Sequence, residues 1–366
     1  MSKKKSRLKL AQEQTELAIK KTNEKISELG THTSQLYDEL NTIQKLFDDI
    51  RNVPSEKRLE YDKLKKIRLN WKQQAEKIES DYKNAAAKNV GKGAAGVGAG
   101  VAVAALGPTA AMGIATTFGI ASTGTAISTL SGAAATNAAL AWLGGGALTA
   151  GGGGMVAGKA FLALAGPAGW AIAGVSLVGS GFLMWKGKND KRRLEDIFTL
   201  ISKRDVKSYE LAIVELNERI SRIKDESPKL NIAIERIRAF GLDYNLMTEA
   251  QQYELGSYVN LMNSTTQLLV NPITGLQPKY DKADLEKYIA FSKKKVDDKQ
   301  KSLVVSLSNL LYKISLDEKD KTLLWKSFKR NKKFLASLEI SKKDFESSII
   351  KTVTDALKHK YRYEKD

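Results

Sequence analysis

The chain contains no cysteine and only two histidines among its 366 residues. It therefore has no disulfide framework, no thiolate metal site and no cysteine nucleophile. His32 and His359 lie in separate charged stretches without carboxylates at metal-ligand spacing, so we interpret both as solvated side chains on helices. No Ser/His/Asp set or paired carboxylate motif is recognisable either. We expect no catalytic activity, no metal and no cofactor.

Charge is missing from one long part of the chain. No Asp, Glu, Lys, Arg or His occurs from Gly93 to Gly158, and Lys159 is the only charged residue before Lys186. The chain as a whole has a formal net charge of +18, which suits nucleic acid or an anionic membrane surface. The alternative is a solvated Lys/Glu helical surface. This segregation divides the chain into segments 1–92, 93–187 and 188–366.

Alternation with period two is also absent, so a substantial sheet is not expected and the fold class is all-α. Apolar residues instead recur at spacings of three and four, which is typical of coiled-coil helices. We expect an elongated bundle in which Pro54 starts a second helix that folds back on the first, and in which Pro228 restarts a later helix. A capping box is expected at Thr248–Gln251, a loop from Asn271 to Pro278 and a cap at Ser341–Asp344. The seams are Ile26–Ile50, Leu64–Tyr82, Ile197–Ile223 (including Leu200), Leu303–Ile314 and Phe345–Leu357.

The segment 93–187 is rich in Gly and Ala and has the character of a membrane hairpin region. Ala160 to Trp185 is uncharged and would reach roughly 39 Å as a helix, enough for a ~30 Å hydrocarbon layer. Upstream, Ala94–Leu106, Thr109–Leu130 and Ala133–Leu148 are weaker apolar runs, so we expect two to four hydrophobic helices. The residues expected to insert are Val101, Leu106, Ile114, Phe118, Ile120, Leu140, Trp142, Phe161, Leu164, Trp170, Ile172, Leu177, Phe182 and Trp185.

Small residues four apart let helix backbones approach closely in lipid. Glycines of this kind are Gly96, Gly100, Gly154, Gly158 and Gly169, and we interpret them as helix-packing positions rather than as a flexible linker.

Lys159 ends a match to a phosphate-binding loop at 153–160, but Ala160 replaces the Ser or Thr that reaches magnesium, and no strand precedes it. We therefore assign Lys159 to a hairpin turn between apolar helices.

Basic residues flank the apolar segment on both sides and are expected to contact anionic headgroups: Lys88, Lys92, Lys186, Lys188, Arg192 and Arg193. The positive-inside rule then keeps both flanks on one side and requires an even number of crossings. The lysine runs 293–295 and 329–333 lack a recognisable nucleic-acid fold or an aromatic stacking platform, so no nucleic-acid partner is expected. Because the basic start Met1–Lys9 precedes a helical pattern and no apolar run, we expect synthesis in the cytoplasm without a secretory signal.

The order of long helices, central apolar segment and further long helices resembles α-helical pore-forming toxins of the cytolysin A and multicomponent enterotoxin type. The resemblance covers the chain in outline and is architectural, without a residue motif specific to that family. It implies a soluble form that shields a hydrophobic hairpin, releases it on a trigger, and inserts it with oligomerisation, in some cases with a partner toxin component. The apolar segment is longer than a typical toxin tongue, which also suits an intracellular membrane effector. The alternative is a constitutive membrane-anchored coiled-coil scaffold.

Overall fold

The computed structural model describes residues 7–89, 108–119, 188–293, 296, 298–330, 335 and 341–363. These residues form long and short helices and contain no strand. The all-α prediction is thus confirmed for the described chain. The helices are α1 (Arg7–Asp49), α2 (Ser55–Asn89), α3 (Pro108–Phe118), α4 (Lys188–Phe240), α5 (Glu249–Val270), α6 (Lys282–Ser292), α7 (Asp298–Leu311), α8 (Glu318–Arg330) and α9 (Ser348–Tyr363).

Helices α1 and α4 are the two longest and run parallel, side by side. Lys224 lies 3.6 Å from Glu28, and the Asn231 amide donates to Glu39 at 3.2 Å. At their upper ends, Arg51 and the segment after α4 exchange backbone hydrogen bonds of 2.9 and 3.0 Å. The apolar seam of α1 is buried as predicted, but it begins at Leu8 and includes residues that gave no apolar signal: Ala11, Thr15, Ala18 and Thr22.

Helix α2 turns back beside α1 after the break at 50–54, as predicted. Lys65 pairs with Asp48 at 2.6 Å, and the rings of Tyr37 and Trp71 lie 5.3 Å apart. The backbones of α1 and α2 nevertheless approach closely over only a short stretch, because α3 lies against both helices. The main partner of α1 is α4, which the seam pattern alone did not identify.

Helix α4 corrects two sequence expectations. Pro228 does not restart a helix but lies inside one continuous helix of 53 residues. Its ring is on the exposed face, where the carbonyl groups that it leaves without a partner can turn toward water. Leu200 does not belong to the buried seam, since its side chain is 53% exposed.

Helix α5 descends from the upper end of the bundle, and the predicted capping box at its start is present. Thr248 Oγ1 accepts from the Gln251 backbone N–H at 3.3 Å, and Gln251 Oε1 accepts from the Thr248 N–H at 2.8 Å. The predicted loop follows α5. Ser341 and Asp344 form a hydrogen-bonded turn, but α9 starts later, at Ser348, so they do not cap it directly.

The C-terminal helices pack on the lower half of α4. Arg204 Nη1 donates to the carbonyl groups of Leu310 and Tyr312 at 2.9 and 2.6 Å. The predicted seams of α7 and α9 are buried, with Ile314 partly buried. Residues from all three sequence segments contribute to one connected apolar core.

Candidate functional site: the seat of α3

Helix α3 is the one described helix of the uncharged segment, and it is enclosed by charged amphipathic helices. It lies against α1, α2 and α5, and we call this groove the seat. Every residue of α3 from 111 to 117 is buried; Ile114 is 1% exposed and Ala115 is fully buried. The seat therefore keeps part of the apolar segment away from water.

Helices α1 and α3 approach each other most closely where a glycine of α1 crosses a glycine of α3. A Cβ atom on Gly30 of α1 would lie 1.7 Å from the carbonyl oxygen of Thr109, and one on Gly113 would lie 2.1 Å from that of Ile26. No real side chain fits at such distances. Gly30 and Gly113 therefore bring the backbones of α1 and α3 into direct contact, the kind of approach that small residues allow between helices.

The lower end of α3 is held by residues 271–277, which follow α5 and which we call the clasp. The Ile273 backbone N–H donates to the Thr117 carbonyl at 2.7 Å. Gly119 ends α3 with φ of +70°, and a Cβ there would lie 2.4 Å from the Val270 carbonyl oxygen. A left-handed glycine is the usual residue just beyond a helix end, because other side chains are strained in that conformation.

The clasp is itself attached to α4. Arg219 Nη1 donates to the carbonyls of Leu268 and Asn271 at 2.7 and 2.9 Å. The Gly275 backbone N–H donates to Glu215 Oε2 at 3.0 Å. Since cations are favourable at the C-terminal end of a helix, Arg219 stabilises the end of α5 where it meets α3.

A buried arginine lies in the α2 side of the seat. Arg68 is 1% exposed, and its Nη1 and Nη2 donate to Thr266 Oγ1 at 3.1 Å and Gln44 Oε1 at 2.5 Å. Both acceptors are neutral, and no carboxylate of the described residues pairs with it. Burial lowers the pKa of Arg68 to about 10 because the charged form loses its hydration.

A second buried charge lies lower in α4, beside Arg204, which contacts the end of α7. Asp205 is fully buried, and Arg204 donates to its Oδ1 through Nε at 2.9 Å and Nη2 at 2.7 Å. Burial nevertheless raises the pKa of the Asp205 carboxyl from 3.8 to about 6, against the opposing attraction of Arg204. Asp205 is therefore a group that titrates in mildly acidic solution.

The structure brings few of the sequence-predicted membrane residues together. Ile114 is in the seat, and Phe118 is the last residue of α3. Helix α3 lies within the predicted apolar run Thr109–Leu130 and ends before Gly119, and residues 120–130 of that run lie outside the described residues. The other predicted inserting and packing residues, together with Lys159, lie outside the described residues: Val101, Leu106, Ile120, Leu140, Trp142, Phe161, Leu164, Trp170, Ile172, Leu177, Phe182, Trp185, Gly96, Gly100, Gly154, Gly158 and Gly169.

Of the flanking cations, Lys92 and Lys186 also lie outside the described residues, while Lys88 is in the last turns of α2 and Lys188 is the first residue of α4. Arg192 is exposed. Arg193 donates through Nε to Asp320 Oδ1 at 2.8 Å and also pairs with Asp317. In this arrangement Arg193 ties α4 to α8.

Sequence reasoning did not identify Gly30, Arg68 or the clasp as parts of one site. Gly30 gave a usable signal, because a glycine inside a long helix lowers helix stability and calls for a packing reason. Arg68 gave none, since it reads as one more cation of a charged helix.

Among described residues, no helix is both long enough and apolar enough to cross a bilayer. Comparisons with models of protein families, with curated proteins and with solved structures find no match to this chain.

Proposed function

We propose that the chain is a membrane-perturbing, pore-forming protein that stores part of its apolar segment in the seat and inserts that segment into a bilayer on a trigger. The observation that carries the proposal is the burial of α3, an uncharged helix, among charged amphipathic helices. Storage of this kind keeps apolar surface from water until lipid replaces the protein as its surroundings.

Two features of the seat would allow α3 to leave it. The glycine crossing depends on backbone contact without interlocking side chains, so α3 can separate from α1 without large rotamer changes. Thr116 and Thr117 are both buried in the seat. On an inserted helix, such hydroxyl groups suit a face that lines a water-filled pore, and Met112 and Ile114, which flank that face, suit contact with neighbouring protomers.

The finer parts of the proposal are coiled-coil pairing of the long helices, insertion of residues 93–187 as helical hairpins, anionic headgroups around the flanking cations, and oligomerisation with or without a partner component. The flanks favour an even number of crossings. The apolar length from 160 to 185 favours spanning of the bilayer over lying on its surface.

Dye release from vesicles tests the proposal. Purified full-length protein is added to dye-loaded vesicles of phosphatidylcholine alone and of phosphatidylcholine with phosphatidylglycerol, at neutral and mildly acidic pH. We expect release that is faster from the anionic vesicles. Intact vesicles under all conditions would contradict a pore.

Fractionation separates the proposal from the alternative of a permanently anchored scaffold. A protein that stores its apolar segment should be recovered without detergent and should move to the pellet when vesicles are added. A scaffold should need detergent at every step and should bind membranes without releasing dye.

A further inference from the structure

Helix α2 carries an unusual set of buried polar atoms. Four of its side chains have a buried nitrogen or oxygen with no hydrogen-bond partner among the described residues: Tyr61 Oη, Arg68 Nε, Trp71 Nε1 and Gln74 Oε1. Spacings of seven and three residues place them on one face of the helix. That face is the one directed at α1, α3 and α5.

Each such atom weakens the attachment of α2 to the bundle. A buried polar group without a partner costs free energy compared with the same group in water, and a buried cation without an opposite charge costs more. Arg68 adds this second cost, because Gln44 and Thr266 are its only acceptors in the described structure. Among the described side chains of α1, only Glu39 carries an atom of this kind, Oε2.

The same side chains are suited to a membrane surface. Tyr, Trp and Arg have apolar bodies and polar tips, and they collect where the hydrocarbon of a bilayer meets its headgroups. Leu64, Ala75 and Ile78 occupy the same buried face and would supply its apolar part. An amphipathic helix of this composition lies in the interface, with its guanidinium at the level of the phosphates.

We propose that α2 is the moving side of the α3 seat, and that its opened face, with Arg68 and Trp71, binds the phosphate headgroups of anionic lipid. In the closed bundle this face covers α3. When α2 moves away from α1 and α5, Arg68 exchanges two neutral acceptors for phosphate oxygens, and α3 becomes free to leave. The proposal deepens the proposed function by naming the element that opens and the lipid chemistry that favours opening.

Thiol labelling measures the opening, since the chain has no cysteine of its own. Ala75→Cys places a thiol on the buried face of α2, where the residue is 2% exposed. Ala233→Cys is the matched control on α4, where the residue is fully buried. Both full-length variants are treated with N-ethylmaleimide, a small uncharged reagent that also enters the bilayer interface, with and without vesicles of phosphatidylcholine and phosphatidylglycerol in equal amounts.

We expect the anionic vesicles to raise the labelling rate of Ala75→Cys by at least about tenfold and to leave Ala233→Cys protected. Vesicles of phosphatidylcholine alone should have little effect on either variant. Unchanged labelling of Ala75→Cys, or equal acceleration of both variants through general unfolding, would overturn the proposal.

Two further substitutions test the cause. Arg68→Met removes the charge at similar length, and Tyr61→Phe removes only an unpartnered hydroxyl group. Each, in the Ala75→Cys background, should slow labelling several-fold, and Arg68→Met should also weaken co-sedimentation with anionic vesicles. Arg58→Met, an exposed cation of the same helix, should change neither. Labelling as fast as in the parent in both test variants would contradict the proposed role of the buried face.

The dye-release assay separates this inference from the proposed function. If α2 opens in the presence of vesicles that keep their dye, the proposal of a moving helix is supported and the proposal of a pore is contradicted. If dye is released while Ala75→Cys stays protected, the proposal of a pore is supported and that of a moving helix is contradicted.

Discussion

Substitution of Gly30 by alanine separates the stability of α1 from the docking of α3. Alanine inside a helix is favoured over glycine by about 1 kcal/mol, so the change strengthens α1 as a helix. The new Cβ, however, would lie 1.7 Å from the Thr109 carbonyl oxygen. To reach an ordinary contact distance of about 3.5–4.0 Å, α3 has to retreat by roughly 2 Å.

The retreat costs more than the helix gains. Overpacking of a close contact costs about 1–3 kcal/mol, and Met112 and Ile114 lose part of the burial that stabilises each by about 1.5–3 kcal/mol. We expect α3 docking to weaken by about 2 kcal/mol, which corresponds to roughly 30-fold faster hydrogen exchange of the amides of α3. Gly113→Ala should act alike, since its Cβ would lie 2.1 Å from the Ile26 carbonyl oxygen.

Gly256→Ala is the matched control for this measurement. Gly256 is also inside a helix, α5, but a Cβ there would meet nothing within 4 Å. This variant should gain up to about 1 kcal/mol of stability with unchanged exchange in α3. If Gly30→Ala behaves in the same way as Gly256→Ala, the close backbone crossing is wrong, and with it the description of the seat.

Three further substitutions have defined outcomes. Asp205→Asn should remove a pH dependence of stability. Because the Asp205 carboxyl binds a proton more tightly in the folded state than in the unfolded state, the free energy of unfolding of the wild type falls by up to about 3 kcal/mol as pH rises from about 4 through 6. Thermal melts of the variant should lack this fall. Arg219→Met should loosen the clasp by about 1.5–3 kcal/mol, measured as faster hydrogen exchange of the Ile273 amide. Arg222→Met, at an exposed position of the same helix, should leave this exchange rate unchanged. Equal effects of the two substitutions would contradict the anchoring role of Arg219. Thr248→Ala should lower the free energy of unfolding by about 1 kcal/mol through loss of the capping box, while the hydrogen exchange rate of the α3 amides stays unchanged. Faster exchange in α3 would show that the upper end of the bundle is coupled to the seat.

Much of the fold could be predicted, because large apolar side chains recur with the period of a helix. The seam positions from Ile26 to Phe47 are buried in α1 as expected, and Ile50 is buried just beyond its end. The extension of this seam down to Leu8 could not be found by hydropathy, because Thr15 and Thr22 are buried with polar side chains that hydrogen-bond to carbonyls of their own helix. The helix start after Pro54 and the capping box at Thr248 could also be predicted from their residue types.

The pairing of helices was not readable, because a seam shows which face is buried but not what covers it. Pro228 illustrates a related limit: proline is costly inside a helix on average, but an exposed position in a long, well-packed helix tolerates it. The seat was even harder to predict from the sequence. An apolar run such as Thr109–Phe118 has the same composition whether lipid or protein surrounds it.

The central claim is that α3 has to leave the seat before the chain can damage a membrane, and a reversible lock tests it most directly. Thr117 and Ile273 are joined by a backbone hydrogen bond of 2.7 Å, so their Cα atoms lie within the roughly 4.4–6.8 Å that a disulfide spans. In a chain without other cysteines, the Thr117→Cys and Ile273→Cys pair can form only this bond within one molecule. We expect no dye release from anionic vesicles by the oxidised protein, release after reduction at a rate close to that of the two single variants, and no such switch in either single variant. Equal release by the oxidised and reduced forms would contradict it.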